Sequence, residues 1–452
     1  MQSEAIGAAR SQYGTMSPMP LVTPDRERPT DFIAVEPLVT PFEAVVRVPG
    51  SKSITNRALL CAALSDGRSI LRGCLVADDI DAMRGAITAL GAQVVAEDAG
   101  ETLTVTGTDP RSATGALALD ARDSGTTSRF VLPAVALRAG RGVVDGSQQL
   151  RRRPFSPLLD ALRQLGTTVE DLGEPGFLPA AVTGPARGGT VKLPGHLSSQ
   201  FLSGLLLAGP LMSEGLDVSL TSPAVSLPYL TMTTAVMRAF GAEVDGFHVR
   251  PGRYRATDFA VEPDASAASY FLAAAVINGG RVRIDGLGTG SLQGDVAFAD
   301  ILERMGARVE RTTDSMTVTG TGELRGVDVD MADISDTAQT LAALAVYAST
   351  PTRVRGIGFI RGKETDRITA VVTELRRAGI QADETDDGFT INPGTPLPTR
   401  FDTWQDHRMA MSLALIGLRT PGIELSDPGC VSKTYPNFFA DLANLGRTPA
   451  SA

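Results

Sequence analysis

Six times along this 452-residue chain, a helix-forming run ends in an apolar residue and a glycine, then turns into a short β-prone run. The copies are Ala89-Leu90-Gly91, Gln164-Leu165-Gly166, Ala239-Phe240-Gly241, Arg304-Met305-Gly306, Arg377-Ala378-Gly379 and a weaker Asn444-Leu445-Gly446. A glycine placed there predicts a helix C′ position, where the backbone takes positive φ and the helix stops. Their spacing of roughly 65–75 residues is too long for a solenoid repeat and long enough for a small α/β unit. Several of the runs that follow are alike, as in Leu103-Thr104-Val105-Thr106-Gly107, Met316-Thr317-Val318-Thr319-Gly320 and Phe389-Thr390-Ile391. Six α/β units divide naturally into two domains of three. The turn-and-cap cluster Glu262-Pro263-Asp264-Ala265-Ser266 predicts one crossing between domains, and Pro49-Gly50 the other. The expected domains are residues 50–263 and residues 31–49 plus 264–452, with the N-terminal strand (about residues 32–48) in the second.

Composition narrows the function more than the fold. A formal net charge of −9 argues against general nucleic-acid binding, yet allows a local basic cleft for anionic substrates. Three scattered cysteines without CxxC spacing indicate a reducing compartment. No apolar run is long enough to span a membrane, so the cytoplasm is expected, and with it a monomer. Residues 1–30 are rich in Ser, Pro, Thr and charge, carry no signal-peptide core, and are expected to be a flexible extension. Only three histidines occur and no zinc spacing exists, so no metal is expected. No Gly-x-Gly-x-x-Gly follows a strand and no nucleophile elbow is found, so neither a cofactor nor acyl-enzyme chemistry is expected.

What the chain does have is cations and hydroxyls at helix starts. In Pro49-Gly50-Ser51-Lys52-Ser53-Ile54-Thr55-Asn56-Arg57 a β-type run gives way to a helical one. If Ser51 or Ser53 caps the helix, free N–H groups point where Lys52 points, and Ser53 and Arg57 share a face. That is the chemistry of a phosphate or carboxylate site, although a capped surface helix would read the same way. Lys363-Glu364-Thr365-Asp366-Arg367 is expected to open a helix with Glu364 and Asp366 in its first turn. Lys363 and Arg367 would converge there on one anion, although exposed ion pairs are the commoner use of such a string. Asp406-His407-Arg408, Lys433, the Asp123–Arg129 string, Ser198-Ser199-Gln200 and Arg151-Arg152-Arg153-Pro154 repeat the theme.

Taken in order, Pro49–Arg57, Gly125-Thr126, Arg153-Pro154, Ser198–Gln200, Ser226–Tyr229, Asp264–Phe271, Asp336, Lys363–Arg367, Asp406–Ala410 and Lys433 resemble the 5-enolpyruvylshikimate-3-phosphate (EPSP) synthase family. The resemblance covers about residues 40–445. It implies a two-domain inverse α/β barrel, each domain of three βαβαββ units, and transfer of the enolpyruvyl group of phosphoenolpyruvate to the 5-hydroxyl of shikimate 3-phosphate. It further implies that Lys52 contacts both substrates, and that Ser53, Arg57, Ser198, Ser199, Gln200, Ser226, Asp336 and Lys363 hold shikimate 3-phosphate. Gly125, Arg153, Gln200, Arg367, Arg408 and Lys433 would grip phosphoenolpyruvate. Asp336 would be the base for the attacking hydroxyl, and Glu364 the acid that protonates the methylene carbon. Three positions depart from the family pattern: Phe130 where many members have Pro, Gln149 where many have Arg, and Phe359 where Asn is frequent.

Two rival readings stand beside this one. UDP-N-acetylglucosamine enolpyruvyl transferases share the fold and the donor. Their Cys before Arg-Pro is missing from Gly146-Ser147-Gln148-Gln149-Leu150-Arg151-Arg152-Arg153-Pro154. A non-catalytic binder of phosphate ligands would need the cations but neither Asp336 nor Glu364.

Overall fold

The structure is a computed structural model describing residues 31–38 and 41–446; the expected N-terminal extension, residues 1–30, lies outside the described residues. Its helices are α1 (Lys52–Ala63), α2 (Asp78–Ala89), α3 (Gly125–Val135), α4 (Gln148–Arg151), α5 (Ser156–Gln164), α6 (Ser199–Ala208), α7 (Leu227–Ala239), α8 (Ala265–Asn278), α9 (Phe298–Arg304), α10 (Ala338–Ala345), α11 (Arg367–Arg377), α12 (His407–Gly417) and α13 (Phe438–Asn444).

The six-fold pattern corresponds to five copies of one four-stranded topology and a sixth, three-stranded variant. In the second unit, strand Leu117–Asp120 leads through α3 to a parallel neighbour, Arg141–Asp145. Helix α5 then leads to strand Thr168–Asp171, which pairs antiparallel with Ala180–Thr183, itself antiparallel to Arg141–Asp145. The same order recurs around Leu216–Leu220, Arg281–Asp285, Thr352–Arg355 and Arg68–Arg72. The sixth sheet has three strands, Thr399–Phe401 parallel to Ile423–Ser426, and Phe32–Val35 antiparallel on its other edge. The six repeat glycines close the helices at φ of 110° (Gly91), 88° (Gly166), 80° (Gly241), 113° (Gly306), 78° (Gly379) and 80° (Gly446). An L side chain resists that conformation, which is why the glycine was legible as a stop.

Helices fill the interior and sheets form the outside. Every residue of α3 and α12 is buried, as is α8 from Ala265 to Ile277. A helix apolar on all sides has no face to offer water and must be enclosed. The buried apolar residues form two separate cores, one spanning Ile54 to Val261, the other joining Val35, Phe42 and Val48 to Ala265–Leu445.

The chain passes twice between the two cores, and the passages lie side by side. The β run expected over Ala44–Val48 is a strand only over Glu43–Val45, parallel to Arg281–Asp285. Strand Asp258–Ala260 in return completes the first sheet beside Arg68–Arg72. Between them Gly50 and Pro263 form a bridge, with Ser51 N donating to Glu262 O (2.8 Å) and Asp264 N to Pro49 O (2.8 Å). Gly50 has to be bare, because a Cβ there would sit 1.9 Å from Gly73 O.

Candidate active site

Helix starts from both halves converge on one cleft. Ser51 caps α1 by accepting from Ile54 N (3.4 Å), leaving Lys52 as its first residue. Lys52 Nζ lies 3.2 Å from Asp79 Oδ2 at the start of α2. Ser124 caps α3, so Gly125 presents bare backbone: a Cβ there would stand 2.6 Å from Arg153 Nη1 and 2.7 Å from Arg129 Nη1. Ser198 caps α6, and Gln200, its second residue, accepts from Arg129 Nη1 (2.9 Å) and donates to Thr126 Oγ1 (3.2 Å).

The second half contributes a buried network around Arg367. Asp366 accepts from Ile368 N and Thr369 N (both 3.1 Å), so α11 begins at Arg367. Glu364 is therefore not in the first helical turn, as expected from sequence, but in the loop before it, where its side chain is freer to enter the cleft. Arg367, 2 % exposed, donates to Asp406 (2.7 Å), Asp336 (3.2 Å) and Glu364 (2.8 Å). Arg408, after the Asp406 cap of α12, donates to Asp336 Oδ2 (2.8 Å).

The halves touch across this cleft. Arg153 Nη2 reaches Glu364 Oε1 (3.4 Å), and Gln149 donates to the Glu364 carbonyl (2.9 Å). Lys433, at the end of the turn Pro428–Lys433, donates to Asp123 O (2.7 Å) and lies 3.5 Å from Asp79 and 3.9 Å from Glu364. Tyr229 Oη stands 3.3 Å from Asp336 Oδ2. The resulting cavity has six cations on its wall (Lys52, Arg129, Arg153, Lys363, Arg367, Arg408) against the carboxylates of Asp79, Asp336 and Glu364. Such an excess in an acidic protein favours anionic ligands.

Burial pushes the Asp336 carboxyl up, but Arg408, Lys363, Arg367 and Lys52 outweigh it and hold the group below the usual carboxylate range. Glu364 is likewise raised by burial and drawn down further by Arg153, Arg367 and Lys433, ending well below that range. Both acids are therefore held in the ionised form by their neighbouring cations. The Lys363 ammonium is lowered, chiefly by burial, with Asp336 opposing.

The sequence-predicted residues fall into three groups. Lys52, Gly125, Arg153, Gln200, Asp336, Lys363, Glu364, Arg367 and Arg408 line the main cavity, and Lys433 reaches its Glu364 and Asp79. Ser53 lines a small adjoining cavity with Tyr229. Arg57 sits behind it, 2 % exposed, bonded to Ser53 O, Thr233, Ser203 and Tyr229 O, with the Phe130 ring 5.0 Å away. Ser198, Ser199 and Ser226 line neither cavity; the Ser198 hydroxyl caps α6, and that of Ser226 donates across the halves to Ala332 O (3.3 Å). Asp79 was missed from the sequence. Asp78-Asp79 reads as acids favouring a helix N-terminus, and no local signal announces that two lysines far apart in sequence meet there.

Fold and site together define a class: a two-part α/β protein that brackets anionic ligands between helix starts of opposite halves. The model of the family described as EPSP synthase (3-phosphoshikimate 1-carboxyvinyltransferase) matches residues 38–442, and the chain belongs to that family. It is 42% identical over 416 residues to the 3-phosphoshikimate 1-carboxyvinyltransferase of Nostoc punctiforme, covering 90% of this chain and 98% of that one. It is 41% identical over 427 residues to that of Serratia proteamaculans, covering 92% and 99%. Among solved structures, EPSP synthase from Acinetobacter baumannii superposes with a TM-score of 0.76 at 28% identity, over 92% of this chain and 98% of that one. The enolpyruvyl transferase NikO from Streptomyces tendae, at 23% identity and a TM-score of 0.73 over 92% and 97%, shares the fold.

Proposed function

We propose that this protein transfers the enolpyruvyl group of phosphoenolpyruvate to the 5-hydroxyl of shikimate 3-phosphate, releasing phosphate. The observation that carries the reading is Arg367, which holds two acids of opposite assignment, Asp336 and Glu364, on one guanidinium inside a cleft of cations. Asp336 is the base. Its ionised state lets it accept the hydroxyl proton as the oxygen bonds to C2 of phosphoenolpyruvate. Glu364 is the acid that protonates the methylene carbon. Held ionised by Arg153, Arg367 and Lys433, it takes up its proton when substrate anions occupy those cations. A tetrahedral adduct results. Loss of a proton from its new methyl group to the Glu364 carboxylate restores the double bond as phosphate departs, leaving Glu364 protonated again.

Lys52 bridges the two substrates. Arg153, Arg367, Arg408 and Lys433, with the bare backbone at Gly125, hold phosphoenolpyruvate, and Gln200 touches both substrates. Ser53, Arg57 and Lys363 hold shikimate 3-phosphate; Ser198, Ser199 and Ser226, which line neither cavity, are assigned to it on the family resemblance alone. Charge–charge repulsion between two multiply charged substrates is offset only by cations already fixed in a dry site, the arrangement this cleft has. The domain division at residues 49/50 and 263/264 is supported by the two separate cores and the paired crossings. Because one chain supplies both walls, a monomer suffices. No described helix is long and apolar enough to cross a membrane, and with unpaired cysteines the protein is assigned to the cytoplasm.

The test is phosphate release from phosphoenolpyruvate with shikimate 3-phosphate as acceptor. Turnover with UDP-N-acetylglucosamine instead would assign the chain to the sister activity. Unimpaired function of Asp336→Asn and Glu364→Gln variants would indicate a binding protein.

A further inference from the structure

A buried acid with no part in the steps above lies one hydroxyl away from the base. Asp295, in the single turn Gly294–Ala297 that leads into α9, is 4 % exposed. Ser266 donates to its Oδ2, and Tyr229 Oη lies 3.5 Å from the same oxygen. Its Oδ1 is buried without a partner. One phenol therefore stands between Asp295 and Asp336, with a single proton to give. Tyr229 comes from α7 of the first half and both acids from the second. Gly294 permits the approach, since a Cβ there would sit 2.4 Å from Pro228 Cβ. The arrangement exists only where the halves meet.

The two acids differ in their company. Asp336 bonds two guanidiniums and is ionised. The groups that bear on Asp295 are Asp336, Asp264, Tyr229, the Ser266 hydroxyl and the more distant Arg408; among the described residues no cation forms an ion pair with it. Burial, then the Asp336 charge, push its carboxyl up to about 7, against the Ser266 hydrogen bond and Arg408.

We propose that Asp295 is a positioning residue that works as a carboxylic acid, donating to Tyr229 Oη so that the phenol proton is directed onto Asp336 when the halves close. The proposal rests on the reading of Asp336 as the base. The sign follows from proton counting. Above neutral pH Asp295 ionises and competes for the Tyr229 proton. Asp336 then loses that bond and faces a second negative charge. An amide at residue 295 would remain a donor at every pH, whereas a methyl would never be one.

The test compares kcat against pH for the wild type, Asp295→Asn, Asp295→Ala and Tyr229→Phe, together with the infrared carboxylic-acid C=O band. The expected result is a wild-type decline in kcat through about pH 7 that Asp295→Asn abolishes, with its kcat at pH 6 kept within about threefold. Asp295→Ala should lose about tenfold in kcat, the worth of one hydrogen bond, with the KM for shikimate 3-phosphate little changed. Adding Asp295→Ala to Tyr229→Phe should cost nothing more. A decline that persists in Asp295→Asn, or full activity of Asp295→Ala, overturns the proposal. The infrared band needs no substrate, so it separates this proposal from the assigned reaction. A protonated-acid band at pH 6 that titrates near 7 and is missing from Asp295→Asn supports it, and absence of the band in the wild type sinks it.

Discussion

Phosphoenolpyruvate should load Glu364 with a proton as it binds. This carboxylate lies 2.8 Å from Arg367, 3.4 Å from Arg153 and 3.9 Å from Lys433, and those cations keep it ionised. A unit charge at about 4 Å in a medium of effective dielectric about 20 is worth about 4 kcal/mol, on the order of a thousandfold in a protonation equilibrium. When substrate oxyanions claim Arg153 and Lys433, most of two such contributions is withdrawn. Burial, the largest influence on this group, then drives it toward the neutral acid that the chemistry requires. The assay is calorimetric titration of phosphoenolpyruvate into Asp336→Asn enzyme preloaded with shikimate 3-phosphate, in which chemistry is slowed. Two buffers of different ionisation enthalpy report the protons exchanged. Uptake approaching one proton per site is expected, and it should vanish when Glu364→Gln is added. Equal uptake with and without Glu364, or none in either, would refute the argument.

Asp336→Asn should lower kcat by about 10²–10⁴, because the proton acceptor is removed, while shikimate 3-phosphate binding by calorimetry falls far less, since the amide keeps an oxygen to accept from Arg367 and Arg408. Arg367→Met leaves Asp336, Glu364 and Asp406 buried without their shared cation. A loss of about 3–5 kcal/mol in urea denaturation is expected, and an unchanged midpoint would contradict the network described. Gly125→Ala places a methyl against the guanidiniums of Arg129 and Arg153 and should raise the KM for phosphoenolpyruvate about tenfold to a hundredfold, the worth of one charge-assisted hydrogen bond. Because Asp336 and Glu364 are held below their unfolded values, the folded state binds fewer protons. Their contribution to stability is therefore full at neutral pH and lost as pH falls through and below the ordinary carboxylate range. Urea midpoints at pH 7 and pH 4 should diverge more for the wild type than for the Asp336→Asn, Glu364→Gln double variant.

The architecture was legible because it is written in local signals. A glycine at positive φ, a Ser or Asp before an apolar helix and a period-2 strand each act within a few residues, so Gly91, Ser51 and Leu103–Thr106 could be read alone. Three cations of the site, Lys52, Arg367 and Arg408, were legible for the same reason, as each sits at a capped helix start. What escaped was everything decided by distance in sequence. Asp79 matters because Lys52 and Lys433 converge on it, and Asp295 because a tyrosine from the opposite half reaches it. Helix edges slipped where a cap changed the register, as when Asp366 rather than Lys363 opened α11. The departures from the family pattern also resolve only in three dimensions. Gln149 gains a hydrogen bond across the cleft, Phe130 packs against Arg57, and Phe359 joins the apolar core of the second half.

The two passages between cores also govern how the protein is made. The segment Glu43–Val45 leaves the ribosome early, but its parallel partner Arg281–Asp285 lies more than two hundred residues later. Phe32–Val35 waits longer still, for Ile423–Ser426. At 5–20 residues per second, the first wait lasts roughly ten to fifty seconds, ample time for the intervening 50–263 segment to fold on its own. Throughout that interval an unpaired strand edge is available to other nascent chains. Glu43 and Arg47, charged and exposed, are the kind of gatekeepers that keep such an edge in solution. Replacing them with apolar residues should therefore cost the finished enzyme only two exposed ion pairs, Glu43 with Arg281 and Arg47 with Glu101, while lowering the fraction that ever becomes finished enzyme.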